Sequence, residues 1–339
     1  MTNVLEILHL VDTEEIRLSI KSAEGVSEQG YRSAPPVEFK EGLPASFRRE
    51  IDWYFQGYLD YPFGPAKDRA QVVESTMQDL GRLLFQAAMQ SSQEARDFYA
   101  EACAGGLSNY QLAIVSTRPE FLALPWELLN EPQIGYLAGQ LGSVIRRAGP
   151  GPLLQFEGQQ SNDQLNVLIV SHIPVSPDES ESERMSIDPS GGGDGFNGLA
   201  SETLKALESL DIQAELHYSR PPTFAALAEH LADRRDYYHL VQLDGMLCAG
   251  SGTELVFEGP GGSPDSVPIS KVAWVLAEAG VPIALLNSGG VDPATIQPAW
   301  SAAAAGLAEH GVALVVLIPS QMPGPSREQF IQHFYRSLA

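Results

Sequence analysis

Two stretches decide the fold: HLVQLDGMLCAG (residues 239–250) and PIALLNSGGVDP (residues 282–293). Each is a short apolar run that stops at glycine among polar neighbours. Runs without polar alternation mark strands buried on both faces of a parallel sheet, and such strands deliver their loops to the carboxyl edge, where α/β proteins place their sites. Between the two lie a hairpin, ELVFEGPGGSPDSVPI (254–269), and a helix over 269–279.

Working outward, the same rhythm continues on both sides. LNVLIV (165–170) reads as a buried strand, 199–210 as a helix, IQAELH (212–217) as a strand, and TFAALAEHLADRRD (223–236) as a helix with Thr223 at its N-cap. YHLVQL (238–243) is the next strand. After the second stretch come a helix over 297–310, the strand VALVVLI (312–318) and the amphipathic REQFIQHFYRSL (327–338). Strands spaced by helices imply right-handed βαβ crossovers, so residues 159–339 are expected to form an α/β three-layer sandwich around a mainly parallel sheet. Within it, residues 176–195 are acidic, Ser-rich and then Gly-rich, with almost nothing apolar to bury, and read as a mobile loop.

The first half, residues 1–158, reads as an α+β subdomain. VLEILHLV and IRLSI suggest a β-hairpin, and helices are expected over 44–56, 66–88 and 94–104. The second of these places Val72, Val73, Met77, Leu80, Leu84 and Phe85 on one face. QLAIVS (111–116) is a strand, and GPGPLLQFEG near 150–158 marks the linker. The last helix ends without a cap, which predicts further chain beyond Ala339.

Composition narrows the function classes. With 21 Lys and Arg against 43 Asp and Glu, the formal net charge of −22 argues against a nucleic-acid partner. Protein partners fit better. No run approaches the roughly 20 apolar residues of a membrane span, and the acidic start MTNVLEILHLVDTEE is unlike a signal peptide, so a cytoplasmic protein is expected. Cys103 and Cys248 make no disulfide framework, and the scattered histidines show no metal-ligand spacing, so neither metal nor cofactor is expected.

Several segments, taken in order, resemble the CHAT domain, a bacterial branch of the caspase-like (clan CD) cysteine peptidases. They are DLGRLLF (79–85), LPWELLNEP with GYLAGQLGSVIRR (124–147), NVLIVSHIP (166–174), RPPTFAALAEHL (220–231), YYHLVQLDG, LVFEGPGG, GVPIALLN and FYRSLA. The resemblance implies a caspase-like core with a His and a Cys on adjacent strand ends. Here the histidine position of the turn after YYHLVQL is Met246, and the position that closes IALLN with the nucleophile is Gly289. A thioether moves no proton and glycine has no nucleophile, so the dyad is degenerate and peptidase activity is expected to be absent.

Around those positions Asp244, Asn287, Ser288, His239 and Cys248 are the candidate cleft residues. Asp244 has two readings, an acid that holds a Lys or Arg of a bound segment and an acceptor for backbone N–H groups in the turn it opens. Cys248 reads as a loop thiol and His239 as a core histidine, since a dyad of the two would span the strand. Trp126 is expected as a packing anchor and Glu127 as the partner of a buried Arg such as Arg146.

The reading is therefore a pseudopeptidase that binds a protein or peptide segment, with another caspase-like protease among the partner candidates, in a bacterial defence or cell-death system. The alternatives are an active peptidase cleaving after a basic residue with a relocated nucleophile, Cys248 or Ser288, and a small-molecule sensing domain.

Overall fold

The computed structural model describes residues 3–21, 31–39, 45–59, 62–149, 164–171, 196–209, 213–249, 254–288, 293–318 and 324–338. Contacts divide the chain into two compact units, Met1–Pro152 and Leu153–Ala339. The linker sequence at 150–158 and the 176–195 loop lie outside the described residues.

In the first unit the elements run β1 (Asn3–Leu10), β2 (Glu15–Lys21), β3 (Tyr31–Ser33), β4 (Val37–Glu38), α1 (Ala45–Trp53), α2 (Ala66–Met89), α3 (Gln93–Ala104), β5 (Tyr110–Val115), the single turn α4 (Pro119–Leu122), β6 (Asn130–Glu131), β7 (Gly135–Tyr136) and β8 (Ser143–Arg147). One sheet has the order β3-β2-β1-β5-β8, antiparallel at the β1–β2 hairpin and parallel from β1 through β5 to β8. Alternation sends Leu5 and Ile7 of β1 and Leu112 and Ile114 of β5 into a core shared with Leu84, Phe85, Ala88 and Met89 of α2.

Helix α2 buries Ala70, Val73, Met77, Gly81, Leu84, Phe85 and Ala88 at helical spacing. Val72, expected on this face, is instead 67% exposed. It lies about 100° around the helix from Val73 and so falls on the flank. Gly81 has a steric role: a Cβ there would collide with the Leu128 carbonyl oxygen, so the glycine lets the Trp126–Leu128 turn press against the helix. Trp126 is fully buried against Phe121 and Phe39, and its indole Nε1–H donates to the Phe121 carbonyl at 2.9 Å. Glu127 receives the Arg146 guanidinium bidentately at 2.6 and 2.7 Å, while Arg146 Nε donates to the Leu122 carbonyl at 2.7 Å. Arg146 is exposed at the rim rather than buried.

The second unit contains β9 (Gln164–Ser171), α5 (Phe196–Ser209), β10 (Gln213–Tyr218), α6 (Phe224–Ala232), β11 (Leu240–Ala249), β12 (Glu254–Glu258), β13 (Pro264–Pro268), α7 (Ile269–Glu278), β14 (Ile283–Ser288), α8 (Pro293–Glu309), β15 (Leu314–Ile318) and α9 (Gly324–Leu338). The parallel core has the order β10-β9-β11-β14-β15. β12 and β13 form an antiparallel extension on the far half of β11. Both faces are covered. Leu168, Val170, Val241, Leu243, Ala284 and Leu286 pack under α6, α7 and α8, while Val167, Ile169, Leu240, Ile283 and Leu285 pack under α5 and α9. Burial on both sides explains why these strands read as unbroken apolar runs.

One expectation is corrected here. β11 does not stop at Gly245. It passes an irregularity in its pairing between Asp244 and Met246 and continues to Ala249 as the partner of β12. Strand geometry tolerates a glycine where the pairing shifts, so the Asp-Gly pair marks a change of partner rather than an end. The backbone of Cys248, expected in a loop, is paired with Leu255.

Among the described residues no helix is long and apolar enough to cross a membrane.

Candidate functional site

Numbered by appearance, the five parallel strands have the order 2-1-3-4-5, so the chain leaves β9 toward one side of the sheet and later returns to build the other side from β11. In sheets wound this way the crevice forms at the carboxyl ends of the strands flanking that reversal, here β9 and β11. The register places Ser171, Asp244 and Asn287 in one row across β9, β11 and β14. By parity with Val167, Ile169, Leu240 and Leu285, the row belongs to the face covered by α5 and α9.

The row is polar and dry. Asp244 is fully buried, Asn287 is 3% exposed and Ser171 7%. A carboxylate in such a place needs partners. One is supplied from its own strand, since Gln242 Nε2 donates to Asp244 Oδ2 at 2.8 Å. Gln242, also fully buried, is held in turn by both covering helices: Thr203 Oγ1 of α5 donates to its Oε1 at 3.1 Å and the Tyr335 hydroxyl of α9 at 2.9 Å. Burial pushes the Tyr335 phenol well up, the Thr203 hydroxyl opposes that, and the negative charge of Asp244 adds to it. At the rim, Arg220 Nη1 lies 3.4 Å from the Ser171 carbonyl oxygen.

Past the row, Met246 pairs with Ser288 across β11 and β14. Met246 and Ser288 are therefore neighbours along the backbone at the edge. Gly289, the next residue, lies outside the described residues. Asp244 sits inside the strand rather than opening a turn, and its Oδ2 accepts a side-chain amide.

His239 lies at the opposite end. It precedes β11, its Nδ1 accepts the Asn166 backbone N–H at 3.0 Å, and burial lowers its pKa. Nine residues of strand separate it from Cys248, about 30 Å at the usual rise, so the two cannot act together. His239 ties the start of β11 to β9.

Sequence reasoning missed Gln242, Thr203, Tyr335 and Ser171. Gln242 did leave a signal, a lone amide within the apolar run of a strand buried on both faces. Thr203 and Tyr335 left none, because each is one polar residue on an otherwise ordinary amphipathic helix.

Chemically, the described side chains of this edge are a desolvated carboxylate, an amide and a hydroxyl, all buried beneath the edge. No group of three or more His, Cys, Asp or Glu among the described residues could hold a metal. No protein-family model matches the chain, and no curated protein matches it.

Proposed function

We propose that the carboxyl edge of the second unit is a degenerate peptidase site on a caspase-like scaffold of the CHAT kind. In this reading Met246 and Gly289 stand where a base and a nucleophile would act, and the fold serves as a binding or regulatory module for a protein or peptide segment. The observation that carries it is the register of β11 on β14, with Met246 opposite Ser288 and Gly289 next in the chain. The five-strand parallel order with helices on both faces supports the caspase-like sandwich. A bacterial defence or cell-death context and an active caspase-like partner are the corresponding proposals for its setting.

The test is turnover of fluorogenic Arg- and Lys-peptides by the full chain. The reading expects release no faster than in buffer. Turnover that disappears in Cys248→Ala or Ser288→Ala would overturn it in favour of a peptidase with a relocated nucleophile.

A further inference from the structure

Away from the carboxyl edge, the second unit holds a dense cluster of titratable groups where α6 and residues 233–238 meet the edge strand β10. Its centre is the Arg234 guanidinium. Three acceptors face its Nη1: the Tyr238 hydroxyl at 2.8 Å, His217 Nδ1 at 3.0 Å and His230 Nε2 at 3.2 Å. The Tyr238 hydroxyl also contacts His230 Nε2. On the far side, His217 Nε2 lies 2.9 Å from Glu215 Oε1, and Glu215 accepts further bonds from the Tyr237 hydroxyl at 3.0 Å and Gln164 Nε2 at 2.9 Å.

Hydrogen bookkeeping fixes the protons. The –NH2 at Nη1 has two hydrogens, which satisfy Tyr238 and His217 Nδ1. Tyr238 then gives its own proton to His230 Nε2, and His217 gives its Nε2–H to Glu215. The Tyr238 O–H bond to His230 is made only while His230 Nε2 carries no proton. A proton on His230 Nε2 would displace the Tyr238 O–H from that contact and add a positive charge beside the guanidinium.

We infer that this cluster is an acid-released latch, with His230 as its trigger, that holds α6 and residues 233–238 against β10. His230 is the weaker point because the acid set against it is Asp233, at the end of its own helix, while Arg234 and His217 oppose its charge. The cluster joins α6 (His230), the following turn (Asp233, Arg234, Tyr237 and the fully buried Tyr238), β10 (Glu215, His217) and the start of β9 (Gln164). Burial first, then Arg234 and His217, lower the His230 pKa, so release is expected below the ordinary histidine range. The inference does not depend on what the carboxyl edge binds.

The test is hydrogen exchange of the full chain, corrected for intrinsic rates, at about pH 7.5 and about pH 5.5, either side of the ordinary histidine pKa. The latch predicts that protection over residues 224–238 falls at the lower pH by up to about tenfold, the limit for one histidine a pH unit below its ordinary pKa, while α7 keeps its protection. His230→Gln, which keeps an acceptor and cannot ionise, should remove the dependence. Protection that stays constant in the wild type, or that falls equally in His230→Gln, would overturn the latch. Should that variant not fold, an NMR titration of the wild type decides: a His230 midpoint at or above the ordinary value refutes the latch, and a lower one coupled to a Tyr238 shift supports it.

Discussion

Replacing Gln242 with leucine removes one residue and strands three others. The Thr203 and Tyr335 hydroxyls lose their acceptor and Asp244 loses the amide donor at 2.8 Å, all in a region with no exposed surface. An unmet buried group costs about 1–3 kcal/mol, more if charged, so the three together come to about 4–8 kcal/mol. The leucine's apolar surface returns about 2 kcal/mol, which leaves a net loss of about 2–6 kcal/mol. Tyr335→Phe removes a single donor while Thr203 still serves Gln242, and should cost about 1 kcal/mol. The assay is native-state hydrogen exchange on the amides of β9 and β11, which reads local opening without requiring the two units to unfold together. Gln242→Leu should lower protection there by about thirtyfold or more, against about fivefold for Tyr335→Phe. A Gln242→Leu chain with near wild-type protection, or a Tyr335→Phe chain hurt more than it, would refute the idea that Gln242 is the hub holding Asp244.

Other perturbations follow from the first unit. Gly81→Ala gains about 1 kcal/mol of helix propensity but drives a methyl into the Leu128 carbonyl, so a net loss of about 1–2 kcal/mol is expected in thermal denaturation, with Gly139→Ala, which meets nothing, as the silent control. For Glu127, burial pushes the carboxyl pKa up but the Arg146 pairing outweighs it and the net shift is down. Glu127→Gln should cost about 1 kcal/mol, since both side chains are partly solvated, and the difference from wild type should shrink in high salt. His9 is buried, with Nδ1 2.9 Å from Ser116 Oγ, and burial, then Arg118, lower its pKa while Glu14 opposes. Its folded-state pKa lies below the unfolded value, so its contribution is complete above about pH 6.5 and is lost as pH falls through the folded pKa. Urea midpoints from pH 7.5 to pH 5 should therefore drop more steeply for the wild type than for His9→Gln.

The second unit was the more legible because β9, β11 and β14 are buried on both faces and leave continuous apolar runs, spaced by helices whose caps, such as Thr223 bonded to the Ala226 N–H, are local signals. Where two strands meet is a non-local fact. The continuation of β11 past Gly245 depends on β12 offering a partner to Leu247, Cys248 and Ala249, and the polar Asp-Gly pair hid it. β8 escaped notice for a similar reason, since SVIRR becomes a strand only through its pairing with β5. The latch around Arg234 joins side chains of three elements, and no spacing in the sequence brings His217 and His230 together. At the carboxyl edge the positions were legible and the electrostatics were not. Asp244 read as a residue at the mouth of a cleft, yet it lies fully buried on a support from α5 and α9.

The central claim of the proposal is that the edge where Met246 pairs with Ser288, with Gly289 next in the chain, supplies neither half of a catalytic pair. Neighbouring strands lie about 4.8 Å apart, within the Cα separation a disulfide accepts. The most direct measurement is therefore oxidation of the full chain carrying Met246→Cys and Ser288→Cys, the pair the register sets opposite each other, with Cys103→Ser and Cys248→Ser to remove the native thiols, read as a cross-linked peptide by mass spectrometry. The account predicts rapid intramolecular closure between positions 246 and 288. Thiols that stay free under conditions that oxidise exposed pairs would place the two positions apart and contradict the account.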